Sequence, residues 1–163
     1  MLKKKILKEL QEYIESREDR FVVYNEALYN ESRIIKEVSE NELDVFINNN
    51  RKPSFKQILF RFIDQTGASD PEIYHKAGMD RKHFSKIRSN PNYRPRKNVI
   101  IALALALELN KDKTDTLLAS AGYSFSDSDT SDLVVQFCLE KGIYTIHDVN
   151  QALNYFSLKP LIG

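Results

Sequence analysis

Basic side chains concentrate in one short stretch of the sequence, residues 79–97, in which Asp80 is the only acid. The pattern from Asp80 to Ser89 predicts a short helix that carries four of these cations within about three turns. A helix of this kind can lie beside a phosphate backbone, so the stretch favours nucleic-acid binding over catalysis. The basic residues are Arg81, Lys82, Lys86, Arg88, Arg94, Arg96 and Lys97.

The sequence shows no residue pattern typical of a catalytic or metal-binding site. It contains no glycine-rich phosphate-binding loop and no nucleophile elbow. His75, His83 and His147 lack the spacing of metal ligands. We therefore expect neither an enzyme nor a metal or cofactor site. Cys138 stands alone in an apolar run, which favours a small buried residue over a reactive thiol.

Overall composition is that of an ordinary globular protein. The chain has 163 residues and a formal net charge of +1, so nucleic-acid binding must come from a local patch. A single cysteine excludes an intrachain disulfide. The sequence lacks an apolar run of membrane-spanning length, and charges interrupt its N-terminal segment as they would not in a signal peptide. These features predict a cytoplasmic protein with no membrane partner.

Residues 1–53 are the least informative part of the sequence. Residues 2–16 have helical apolar spacing, and their glutamates favour docking on a core over a membrane anchor. Residues 21–24 and 33–38 are β-prone and could pair as short strands. Asn41 is predicted to cap a short helix to Ile47, and the polar break at 48–54 is either a domain boundary or an ordered loop inside one domain.

Five helical patterns follow between residues 54 and 122. Ser54 caps the first helix and Gly67 ends it, Ser69 or Asp70 caps the second, and Asp80 caps the third. Phe84 and Ile87 are the expected inward pair of the third helix. A rigid, extended connector at residues 90–95, a buried central helix at 96–109 and a short helix at 113–121 complete the series.

The C-terminal part, residues 123–163, has two more helical patterns. Residues 124–132 predict a loop that ends in N-cap residues for a helix at 133–141. Gly142 ends that helix. A last helix is predicted at 146–156, with Ile146, Val149, Leu153 and Phe156 as its apolar residues.

The order of these elements resembles the Cro/C1-type (XRE-like) helix-turn-helix fold. The matching residues are Ile73, the turn Ala77-Gly78-Met79, Phe84, Ile87 and the later Pro95. The resemblance implies a mainly α protein with a five-helix core at 54–122, C-terminal helices at 123–163 and a small α(+β) extension at 1–53. The stretch from Asp80 to Leu109 also looks like a module of small bacterial proteins of unassigned function, which implies a bacterial cytosolic origin.

The family's use of its third helix implies roles for the basic residues. Arg81, Lys82 and Ser85 would lie nearest the base edges of the major groove, where arginine can contact guanine through two hydrogen bonds. Other side chains of the stretch would contact phosphates or lie close to DNA. The predicted DNA-binding set is Arg81, Lys82, His83, Ser85, Lys86, Arg88, Arg94, Arg96 and Lys97.

Three departures from the family pattern bear on this reading. Asp70 stands where the family commonly has a phosphate-gripping glutamine, which weakens DNA binding. Tyr74 replaces a small residue where the second and third helices pack, so these helices are expected to cross differently. Arg88 replaces a frequent glutamate and adds positive charge.

Two functions from different classes therefore remain open. The first is a bacterial transcriptional regulator that binds double-stranded DNA and forms a homodimer through residues 133–156. The second is a helical adaptor that has lost DNA binding and presents its basic face to an acidic protein partner. The blander alternative to both is a charged helix face that is simply solvated.

Overall fold

Two compact units divide the chain, residues 1–51 and residues 52–163. The computed structural model describes Lys8 and residues 39–162. The expected helix at 2–16, apart from Lys8, and the expected strands at 21–24 and 33–38 lie outside the described residues. In the first unit, Lys8 and residues 39–50 are helical.

The helical segment 39–50 corrects two sequence predictions. Asn41 lies inside it rather than at its N-cap, and residues 48–50 belong to the helix rather than to a polar break. The Asn50 side-chain amide donates to the Phe46 carbonyl at 2.8 Å, and the Arg51 N–H donates to the Ile47 carbonyl at 2.8 Å. Local hydrogen bonds thus continue the helix through the asparagines to Asn50.

Seven helices build the second unit, and no strand occurs among residues 39–162. The prediction of a mainly α protein is confirmed in this part of the chain. We number the helices α1 (Phe55–Thr66), α2 (Asp70–Lys76), α3 (Arg81–Ser89), α4 (Lys97–Ala106), α5 (Lys111–Ser120), α6 (Thr130–Glu140) and α7 (Ile146–Tyr155). Every helix in the described residues falls short of the length and apolarity needed to cross a membrane.

Side-chain caps fix where the first three of these helices begin. Ser54 accepts from the Gln57 N–H while the Gln57 side chain accepts from the Ser54 N–H, forming a capping box at α1. Ser69 rather than Asp70 caps α2. Asp80 caps α3 by accepting from the His83 N–H at 2.7 Å. These polar residues therefore set the register in which α2 and α3 present their side chains.

Helix α4 is the buried centre of the second unit, as its alanines and leucines predict. Every residue from Ile100 to Ala106 is buried. The helix ends earlier than expected, because Glu108 adopts a left-handed conformation with φ of 53° and the Leu109 N–H turns back to the Ala104 carbonyl. Helix α5 begins at Lys111, two residues before the predicted start, because Asn110 caps it.

Helices α6 and α7 pack on the same core. Val135, Cys138, Val149 and Leu153 are buried within it. Helix α6 begins at Thr130 because Asp129 caps it, earlier than the predicted Leu133. Helix α7 ends at Tyr155, one residue before its predicted end.

Phe156 lies beyond the end of α7, where Ser157 has a φ of 58°, and the ring is exposed. The connector between α3 and α4 is also less extended than predicted. Residues 91 and 92 form a turn that the Tyr93 N–H closes on the Asn90 carbonyl.

Candidate nucleic-acid interface

The orientation of α3 follows from the turn that precedes it and from its two buried side chains. Gly78 has a φ of 69°, a left-handed conformation that glycine adopts without strain, and it joins α2 to α3 through buried Met79. Phe84 and Ile87 are both buried, which confirms them as the inward pair. The opposite side of α3 is therefore directed to solvent.

Five side chains of α3 line a shallow depression on this outer side, and we call them the basic face. None of them is acidic, and all five are exposed. Since residues three and four apart neighbour one another on a helix, the cations and hydroxyls form one continuous strip. The basic face consists of Arg81, Lys82, Ser85, Lys86 and Ser89.

A cluster of aromatic rings holds α3 against α1 and α2. The Phe84 ring lies edge-on to Phe60 of α1 at 6.1 Å between centroids and to Tyr74 of α2 at 5.8 Å. Edge-to-face pairs at these separations are favourable. Tyr74 thus fills the space between α2 and α3 that a small residue would leave.

Arg88 is held by Asp70, so the charges of these two side chains compensate each other. The Arg88 Nη2 lies 2.8 Å from each carboxylate oxygen of Asp70, and its guanidinium stacks on the Phe60 ring at 4.2 Å. The pair links the start of α2 to the end of α3. Arg88 is therefore engaged on the side of α3 that adjoins α2, and it does not line the basic face.

Tyr93 organises the other flank of α3. Its hydroxyl lies 2.8 Å from the His83 Nε2, and the Lys86 ammonium lies 4.3 Å from the centre of its ring. The His83 side chain is half-buried in this contact. Tyr93 thus holds Lys86 by a cation–π contact, and the Lys86 side chain stays exposed.

The remaining predicted DNA-binding cations separate in the structure. The Arg94 guanidinium donates to the Ala121 carbonyl at the end of α5 at 3.3 Å. The Lys97 ammonium binds the buried Asp132 carboxylate of α6 at 2.6 Å. Arg96 is exposed at the N-cap of α4. Arg94 and Lys97 thus tie structural elements together, whereas Arg96 stays accessible.

Four of the nine predicted residues meet on the basic face, namely Arg81, Lys82, Ser85 and Lys86. Ser89 was missed, although its position four residues after Ser85 is a signal that helical spacing provides. The supporting role of Tyr93 was also missed, because no local pattern indicates a contact ten residues back to His83.

Cys138 is fully buried in α6, which confirms the sequence interpretation. Burial raises the pKa of its thiol, and the Asp148 carboxylate raises the pKa further. Within residues 39–162, no three histidine, cysteine, aspartate or glutamate side chains group as metal ligands would.

Comparison with known proteins gives no family for this chain. It matches no protein-family profile, no curated protein and no solved structure.

Proposed function

We propose that this protein binds double-stranded DNA through α3 and acts as a small bacterial transcriptional regulator of the Cro/C1 (XRE-like) helix-turn-helix type. The observation that carries the proposal is the acid-free basic face, which lies on the exposed side of α3 directly after a tight turn from α2. A short helix with cations at its outer start is the element that helix-turn-helix proteins insert in the major groove.

The number of cations on the basic face sets the expected salt dependence of DNA binding. Arg81, Lys82 and Lys86 are its three cations, and on random DNA, which lacks the target sequence, each can neutralise one phosphate. Three such contacts give a slope of about −2.7 for log K against log salt concentration. Arg81, at the start of α3, is the residue best placed to contact a base edge, where a two-bond contact to guanine discriminates by about 1–3 kcal/mol.

Selection of bound duplexes from a randomised pool tests the proposal. The wild-type protein should enrich one sequence motif. On that motif, Arg81→Ala should lower the preference over random DNA, whereas Lys86→Ala should weaken binding to both DNAs by a similar factor. Failure to enrich any motif, or equal losses on both DNAs for the two variants, would refute the assigned roles.

A helical protein-interaction adaptor is the second candidate function. It is favoured by the engagement of Arg88, Arg94 and Lys97 in internal contacts, which leaves few free cations for a DNA backbone. An adaptor would present the basic face to an acidic protein surface. Its signature is a stoichiometric protein partner on purification, together with no DNA affinity even at low salt.

A further inference from the structure

A small pocket lies where the end of α2, the end of α4 and the start of α7 come together in the second unit. Its volume is about 260 Å³. At about 30 Å³ for each water molecule, this space corresponds to roughly nine waters, less than the pockets that hold drug-sized ligands. The pocket therefore fits a small metabolite.

The inner wall of the pocket is apolar. Leu105 and Ala106, in the last turn of α4, line the pocket and are buried. Ile146 begins α7 and Tyr144 precedes it, and both are half-buried against the core. Such a wall favours an aliphatic or aromatic group, because binding removes the apolar surface of that group from water.

Two opposite charges line this pocket without neutralising each other. Lys76 is the last residue of α2, and Glu108 follows the end of α4. Both side chains are exposed, and neither forms an ion pair or a hydrogen bond in the described part of the chain. A ligand that carries one charge of each sign can therefore pair with both residues at once.

The two longer helices that meet at the pocket add complementary partial charges. The end of α4 favours a cation beside Glu108, whose backbone the hydrogen bond from the Leu109 N–H to the Ala104 carbonyl holds in place. The start of α7 favours an anion, since its N-cap Thr145 makes no side-chain hydrogen bond to the first turn. Asp148 in that turn accepts from the Thr145 hydroxyl instead, and it does not line the pocket.

We propose that this pocket binds a free α-amino acid with an apolar side chain. The ligand carboxylate pairs with Lys76, and the ring of His147 at the start of α7 supplies a further donor. The ligand ammonium pairs with Glu108, and the ligand side chain packs on Leu105 and Ile146. None of the lining residues belongs to the basic face, so this site stands independently of DNA binding.

NMR titration of the full chain with L-leucine, in the absence of DNA, tests the site directly. The amide signals of Glu108, Tyr144 and His147 should shift in a saturable way with a Kd of about 0.1–1 mM, as expected for a ligand of about nine non-hydrogen atoms. Isocaproate lacks the ammonium group of leucine, and isoamylamine lacks its carboxylate. Each analogue should bind at least about tenfold more weakly, because it loses one charge-assisted contact.

Single substitutions assign the two charged contacts. Lys76→Met and Glu108→Gln should each weaken L-leucine binding by about tenfold. Glu108→Gln should leave the weaker affinity for isocaproate unchanged, since that analogue has no ammonium group. The matched controls are Lys113→Met and Glu140→Gln, the same changes at exposed residues that do not line the pocket, and they should bind L-leucine as the wild type does. Thermal melts of all four variants, which change exposed side chains only, verify that the fold is intact.

Three outcomes would overturn the proposal. They are the absence of saturable shifts with L-leucine up to about 20 mM, an analogue that binds as tightly as L-leucine, and equal affinities for the pocket variants and their controls. Because no DNA is present, failure of amino-acid binding in these experiments is distinguishable from failure of DNA binding.

Discussion

Replacing Asp70 with asparagine removes the carboxylate that engages Arg88 and leaves the size of the side chain unchanged. In the wild type, both carboxylate oxygens lie 2.8 Å from the Arg88 Nη2, so Asp70 engages the guanidinium on the side of α3 that adjoins α2. Without that charge, Arg88 is free to reach a phosphate beside α3. We therefore expect Asp70→Asn to strengthen DNA binding rather than weaken it.

The expected magnitudes for Asp70→Asn separate an effect on binding from an effect on folding. Because the pair is substantially exposed, its loss should lower the free energy of unfolding by only about 0.2–1 kcal/mol. One additional phosphate contact should steepen the salt dependence of log K by about 0.9. Between about 50 mM and 200 mM salt, this difference corresponds to a change in relative affinity of roughly 3.5-fold.

Anisotropy titrations on a random duplex at several salt concentrations measure the gain, with Asp64→Asn as the control. Asp64 is an exposed acid of α1, so its removal changes the net charge equally without releasing Arg88. Arg88→Ala should leave the wild-type slope unchanged and abolish the gain in the Asp70→Asn background. Equal slopes for Asp70→Asn and Asp64→Asn, or a shallower slope for Arg88→Ala alone, would refute the reasoning.

Two stability measurements test the packing around α6. Asp132→Asn removes the buried carboxylate that binds Lys97 and should lower the free energy of unfolding, measured in urea, by about 1–3 kcal/mol. Asp115→Asn removes the carboxylate of a more exposed pair with Lys111 and should lower it by less than about 0.5 kcal/mol. Equal losses would contradict a structural role for Asp132. Burial raises the pKa of the Cys138 thiol, so above the ordinary thiol pKa of about 8.5 the unfolded chain loses its proton first. Stability should therefore fall as pH rises through that range, and Cys138→Ala should lack this component; identical pH profiles would contradict it.

The helices of the second unit were largely predictable because their signals are local. Ser54 and Asp80 cap the helices that they precede. Gly67 and Gly78 adopt the positive φ that is needed at the end of a helix or in a tight turn. The alternating leucines and alanines from 101 to 109 resembled a strand in period, but their helix propensity decided the outcome.

The contacts that decide which cations are free were not predictable, because they join distant parts of the chain. Arg88 meets Asp70 across 18 residues, and Lys97 meets Asp132 across 35. Sequence spacing gave all the cations of residues 79–97 equal weight, whereas tertiary packing engages Arg88, Arg94 and Lys97. Helical periodicity also did not show that α7 ends at Tyr155, one residue earlier than predicted.

Salt-dependent binding to a labelled random duplex tests the central claim, that the basic face of α3 contacts the DNA backbone. The wild type should bind at about 50 mM salt with a slope near −2.7, and Arg81→Ala/Lys82→Ala/Lys86→Ala should reduce the slope towards zero. Arg61→Ala/Lys113→Ala/Lys159→Ala removes three exposed cations elsewhere and should keep most of the slope. No binding by the wild type at low salt, or equal slopes for the two triple variants, would contradict the claim.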